Sequence, residues 1–291
     1  LLKKYPETDF NDLGELLSGQ RLVEFLSGHT KAITALEILD ESILRQLPEL
    51  EVISKYGVGL DMLDLSAMSD MGKKLGWTSG VNRRSVSELV ISFMISSLRK
   101  LTFCQKEIFA GRYRQIRGRE LSGRTVGIIG CGHVGKDLVK LLQPFNCKIL
   151  VYDILDFEDF YVKYKVTPVG LDELMSLSDI VTLHLPLDKS TKNILNSDKL
   201  NLLKNNSVLI NLARGGLIDE VALKELLINN KITGAALDVF EVEPPVDLSF
   251  ATMDNVLITP HIGGSTEEAI LAMGMAAIEG LENSKDPLNF L

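Results

Sequence analysis

The 291-residue sequence contains only three cysteines, Cys104, Cys131 and Cys147, and none stands in a C-x-x-C or metal-ligand spacing. That excludes a disulfide framework and gives no reason to expect a metal, so the thiols read as the reduced ones of a cytoplasmic protein. Positive charge is also short: 31 Lys and Arg stand against 39 Asp and Glu, a net charge of −8. No basic stripe exists to release counterions from a nucleic acid. A small anionic ligand stays admissible, because local arginines and helix ends can dominate a site. No run of about 18 apolar residues occurs, so no membrane span is expected. Internal repeats and low-complexity tracts are missing too. The chain opens on Leu1 without an evident first strand. An N-terminal segment is therefore expected ahead of it, which leaves a removed targeting peptide open.

What remains is an ordinary globular balance of 45% hydrophobic and 24% charged residues, long enough for two domains. The central region alternates strand-like and helix-like runs in the rhythm of a parallel sheet with crossover helices. Expected strands are 125–129, 148–153, 179–184, 207–212, 234–239 and 256–259, with helices at 171–177, 198–203 and 219–229. Ahead of residue 78 the pattern is a smaller α/β unit, with strands at 31–36 and 51–55 and helices at 13–25 and 41–46. Residues 72–80, with three glycines, read as a linker. Ser85–Leu98 forms a long apolar helix, either a core element or part of a subunit interface. A last helix, 267–282, returns the chain to the first domain. The expected division is 1–77 with 265–291, and 78–264.

Gly130-Cys131-Gly132-His133-Val134-Gly135 follows the apolar run Thr125–Ile129 and opens an amphipathic stretch. A G-x-G-x-x-G pattern alone is weak, but here it has the strand before it and the helix after it that a dinucleotide site requires. The first glycine permits the tight turn, the second lets the backbone approach a pyrophosphate, and the third lets helix and strand pack closely. The next strand ends in Asp153, 18 positions after Gly135 (153 − 135), where a ribose-binding carboxylate is expected.

Three further segments follow successive strands: Asn211–Gly216 with Arg214, Asp238–Pro244 with Glu243, and Pro260–Gly264 with His261. Ligands of open α/β sheets bind outside the carboxyl ends of the strands, so the three converge on one crevice. The residue types suit hydride transfer at a carbon bearing oxygen. Histidine moves the proton, a carboxylate on its other ring nitrogen fixes the tautomer, and arginine holds a substrate carboxylate by a bidentate pair. Each has an ordinary explanation by itself: a loop histidine, a helix-entry arginine, a solvated acid. Their coincidence at successive strand ends favours chemistry.

These segments resemble the D-isomer-specific 2-hydroxyacid dehydrogenase family, with its glycine fingerprint, arginine before glycine, D-V-x-x-x-E-P run and P-H-x-G. The resemblance implies a doubly wound Rossmann NAD-binding domain and a smaller, discontinuous flavodoxin-like α/β substrate domain. It implies NAD as cofactor and a small 2-hydroxy or 2-oxo acid as substrate. Arg214, Glu243 and His261 would be catalytic, His261 as general acid/base. Gly130, Gly132, His133, Val134, Gly135, Asp153, His184, Leu212, Ala213, Asp238, Gly263 and Gly264 would form the cofactor site. Within that set Asp238 would touch the nicotinamide carboxamide, and His184 would be a pocket wall. Asp153 would favour NAD by repelling a 2′-phosphate.

Asn82–Val90 and His261–Ala269 are similar to the phosphoglycerate dehydrogenase branch, which suggests 3-phosphoglycerate, at the first step of serine biosynthesis, as substrate. Gly57 and Val58 would then grip the carboxylate by backbone N–H groups, with Lys55, Asn82, Arg83 and Arg84 as candidates for the phosphate. Met62 departs from the asparagine often found after Asp61. The chain as given reaches Leu291 without the C-terminal regulatory domain that many members of that branch carry. Glyoxylate or hydroxypyruvate reduction is the alternative within the family, and an NAD(H)-sensing corepressor-like role the alternative outside enzymes. A homodimer through residues 85–110 is expected, because family members commonly pair there.

Overall fold

The computed structural model describes residues 1–12 and 14–290 and divides into two compact units, 1–82 with 267–291 and 83–266. The divisions fall five and two residues beyond the expected ones, because the long helix starts at Arg83 and the last helix at Glu267. Asn82 thereby belongs to the first unit.

In the first unit β1 (Lys31–Thr34), β2 (Val52–Lys55) and β3 (Lys74–Gly76) form a parallel sheet in the order β1-β2-β3. Helices Glu41–Leu44 and Leu65–Asp70 are capped by Asp40 and Asp64, which accept the Ile43 and Ala67 N–H groups. Leu22, Leu39, Leu44, Ile53, Met68 and Leu75 build the core, with Met62 packed at its edge. The helix expected from residue 13 spans Gly19–Leu26, and Leu13 lies outside the described residues.

The expected linker at 72–80 is instead interrupted by β3. Its glycine answers a packing need: a Cβ at Gly76 would run into the Gly280 backbone of helix Glu267–Gly280. The hydroxyl of Ser54 on β2 donates to Ala277 O at 2.6 Å and Gly76 O at 3.3 Å. The last helix therefore completes the sheet's packing.

The second unit holds seven parallel strands: β4 (Thr125–Ile129), β5 (Lys148–Tyr152), β6 (Thr167–Pro168), β7 (Ile180–Leu183), β8 (Val208–Asn211), β9 (Gly234–Leu237) and β10 (Val256–Ile258). Their order is β10-β9-β8-β7-β4-β5-β6, the doubly wound arrangement, with its topological switch between β4 and β7. Strands β7, β8 and β9 are buried along their whole length, as expected for strands covered on both faces. Helix Glu220–Ile228 is capped by Asp219, which accepts Ala222 N–H at 3.0 Å. The helix Arg83–Arg99 buries Val86, Val90, Phe93, Met94 and Leu98 in the core that also holds Ile128, Leu138 and Ile210. That face is intramolecular core. No helix among the described residues is long and apolar enough to cross a membrane, and no group of three or more potential metal ligands occurs among them.

Candidate active site

At the switch point the chain leaves β4 through Gly130, whose φ of +98° suits glycine. A side chain there would meet His184 O at 2.6 Å. Gly135 abuts the Gly130 carbonyl, which forces helix His133–Leu142 against the turn. The space beside Gly132 is empty to 4 Å. Closeness behind and room in front, with no acid in the helix's first turn, make a cradle for a pyrophosphate. His133 and Val134 open that helix. From the end of β5, Asp153 accepts Leu155 N–H at 2.8 Å through one oxygen and Cys131 N–H through the other. Its carboxylate is thus bonded into the glycine turn. Burial pushes the Cys131 thiol up to about 11, so it is an inert space-filler at neutral pH.

The three chemistry-bearing segments follow β8, β9 and β10. After β8, the buried Asn211 shapes the turn by accepting Ala213 N–H at 3.0 Å and donating to Arg214 O at 2.8 Å. Leu212 is buried, and the half-buried Arg214 donates to Ala213 O at 2.7 Å. A Cβ at Gly215 would strike Phe240 O, so this turn packs directly on the segment after β9. There Glu243 divides its carboxylate: Oε1 accepts Phe240 N–H at 3.0 Å, and Oε2 lies 2.7 Å from His261 Nδ1. Glu243 thus engages the imidazole from its Nδ1 side.

His261 has φ +54°, the left-handed region, which costs a non-glycine residue roughly 1–3 kcal/mol. Asp238 holds it there. Its backbone carbonyl accepts His261 N–H at 2.8 Å, one carboxylate oxygen accepts Ile262 N–H at 2.8 Å and the Thr259 hydroxyl, and the other accepts Gly263 N–H at 2.7 Å. The side chain expected at the nicotinamide carboxamide is 0% exposed and faces this loop. Thr259 and Phe240, invisible as site residues in the sequence, enter through these bonds.

At the end of β7, His184 shares a 3.1 Å contact with Thr182 Oγ1. Desolvation pushes its imidazole down to about 3, so it is neutral at physiological pH and unsuited to be a base there. In the first unit, Gly57 has φ +106° and Val58 O accepts the Trp77 indole N–H at 3.2 Å. Lys55, expected at a substrate, is 4% exposed, and its ammonium donates to the Ala35 and Tyr56 carbonyls. Arg84 is committed as well, donating to the buried Asp137 at 2.9 Å. Asn82 is buried, as is Gly263, while Gly264 is half-buried.

A glycine cradle at the switch of a parallel sheet, beside a carboxylate-oriented imidazole at neighbouring strand ends, defines a dinucleotide-dependent dehydrogenase. Residues 91–263 match the family model described as D-isomer specific 2-hydroxyacid dehydrogenase, NAD binding domain, and the chain belongs to that family. It is 34% identical to a hydroxypyruvate reductase of Thermotoga maritima, over 91% of this chain and 92% of that protein. It is 37% identical to a D-3-phosphoglycerate dehydrogenase of Methanocaldococcus jannaschii, over 82% of this chain but only 46% of that protein. A D-lactate dehydrogenase from Aquifex aeolicus, solved with NAD and lactic acid, superposes with a TM-score of 0.83 at 28% identity, covering 88% of this chain and 83% of that one. The cofactor is NAD.

Proposed function

We propose that this dehydrogenase interconverts D-2-hydroxy acids and 2-oxo acids with His261 as general acid/base. The observation that carries the reading is the 2.7 Å contact from Glu243 to His261 Nδ1. It keeps a proton on Nδ1 and presents Nε2 as the basic atom. In the oxidative direction Arg214 orients the substrate carboxylate, neutral His261 takes the hydroxyl proton, and Glu243 stabilises the imidazolium that forms. Bound NAD supplies the hydride acceptor.

The likeness to the phosphoglycerate branch supports 3-phosphoglycerate as substrate. The commitment of Lys55 to backbone carbonyls and of Arg84 to Asp137 favours instead an unphosphorylated 2-oxo acid such as hydroxypyruvate or glyoxylate. The test is turnover of 3-phosphoglycerate against unphosphorylated acids at fixed NAD(H), with His261→Ala alongside. That variant should lose about 10²–10⁴ in kcat while NADH affinity holds. Near-normal turnover in it refutes the assignment, and preferred turnover of 3-phosphoglycerate refutes the unphosphorylated reading.

The free thiols suit a cytoplasmic setting. We further place a homodimer contact at helix Leu101–Phe109 and its exit. There Leu101 and Ile108 are exposed, Phe109 is 80% exposed and Tyr113 92%, an apolar cluster of the kind that marks association sites. Sedimentation as a monomer at micromolar concentration would exclude it.

A further inference from the structure

We propose that Ser85 is a positioning residue, setting the placement of the catalytic imidazole through its grip on Gly263; this rests on His261 being the general acid/base. Gly263 is held from two sides. Its N–H donates to Asp238 Oδ2 at 2.7 Å, and its carbonyl accepts the buried Ser85 hydroxyl at 2.6 Å. A Cβ at Gly263 would stand 3.0 Å from Asp238 Oδ2 and 3.6 Å from Val86 Cγ2, so the backbone is pinned with little slack.

Ser85 lies 178 residues from Gly263 in sequence, in the first turn of helix Arg83–Arg99. The same turn reaches the cofactor helix. Ser87 donates to Val134 O at 3.3 Å, and Arg84 pairs with Asp137 at 2.9 Å. One rigid helical turn is thus bonded both to the loop that carries the proton-transferring group and to the helix that faces the pyrophosphate. Proton and hydride leave adjacent atoms of the substrate, so the two transfer sites must keep fixed separation, and a shift of about 1 Å can cost roughly 10²-fold in rate. His261 needs such support more than an ordinary residue. Its left-handed backbone persists only where surroundings over-determine it. Asp238 supplies the restraint from the end of the neighbouring strand β9, and Ser85 registers the His261 loop to the cofactor helix.

The experiment compares Ser85→Ala, Ser85→Thr and Gly263→Ala with His261→Ala, using hydroxypyruvate, glyoxylate and 3-phosphoglycerate, and NADH binding by fluorescence. Loss of one hydrogen bond predicts about a tenfold drop in kcat for Ser85→Ala, with substrate KM and NADH affinity nearly unchanged. Ser85→Thr, which keeps the hydroxyl, should recover most of the rate. Gly263→Ala, which presses on the grip from the Asp238 side, should lower kcat as well, and NADH affinity with it, because Gly263 belongs to the proposed cofactor site. Ser85→Ala turning over within twofold of the parent while His261→Ala is inactive overturns the positioning role, as does a loss of NADH affinity equal to the loss in kcat. Activity retained in His261→Ala overturns instead the reading beneath it.

Discussion

Replacing Glu243 by glutamine tests the site most directly, because the structure fixes what the exchange removes. The carboxylate uses one oxygen on Phe240 N–H at 3.0 Å and the other on His261 Nδ1 at 2.7 Å. Both partners need an acceptor in the state where Nε2 is basic. Glutamine has one oxygen, so one of the two donors must face an amide NH₂. A hydrogen bond to a charged group contributes roughly 1.5–3 kcal/mol, which corresponds to about 10- to 150-fold in kcat. Solvent reaches both side chains, 47% of His261 and 36% of Glu243, and water weakens such pairs. The expected loss is therefore near the lower end, about 10- to 30-fold. Glu243→Asp keeps the charge but is one methylene short of spanning both partners, so it should lie between parent and Glu243→Gln. The assay is NADH consumption at saturating 2-oxo acid, with melting temperature as a control for folding. A Glu243→Gln enzyme with kcat within twofold of the parent, and unchanged melting, would refute the orienting role.

The glycine turn separates stability from binding. Gly132→Ala points into open space and should leave the melting temperature unchanged while abolishing NADH binding; Gly130→Ala, at positive φ and against His184 O, should lower stability by roughly 1–3 kcal/mol. In cofactor competition the parent should prefer NAD, and Asp153→Ser should narrow the preference by removing a charge that repels a 2′-phosphate. A parent preference for NADP would overturn this. In the first unit, Gly280→Ala would drive a methyl into Ser54 and Gly76, which should cost about 1–3 kcal/mol in thermal unfolding.

Local signals carried much of the architecture. The run Thr125–Ile129 and the helix Leu171–Leu177 are legible to the residue, because a short apolar run closed by a glycine turn reads as a buried strand and leucines at helical spacing with acids in the first turn read as a helix. Strand ends such as Asp153 and His184 lie just past the observed strands, where side-chain pattern continues but pairing stops. Strand β3 was hidden because its glycine is explained by Gly280, which is distant in sequence. The two-residue β6, with a proline, gives no periodicity to read. At the site, residue types and strand order pointed to Arg214, Glu243 and His261. The bonds of Asp238, Ser85 and Lys55 to backbone groups are tertiary facts with no residue spacing to announce them.

The contact between Ser54 and Ala277 spans 223 residues of chain, and that has a consequence for biosynthesis. Everything from 83 to 266 is threaded between the two parts of the first unit. On a ribosome the early strands must wait, unfinished, until translation has passed the inserted unit. The usual N-terminal-first order is inverted: the nucleotide-binding module can mature first, while the unit whose strands precede it is sealed last.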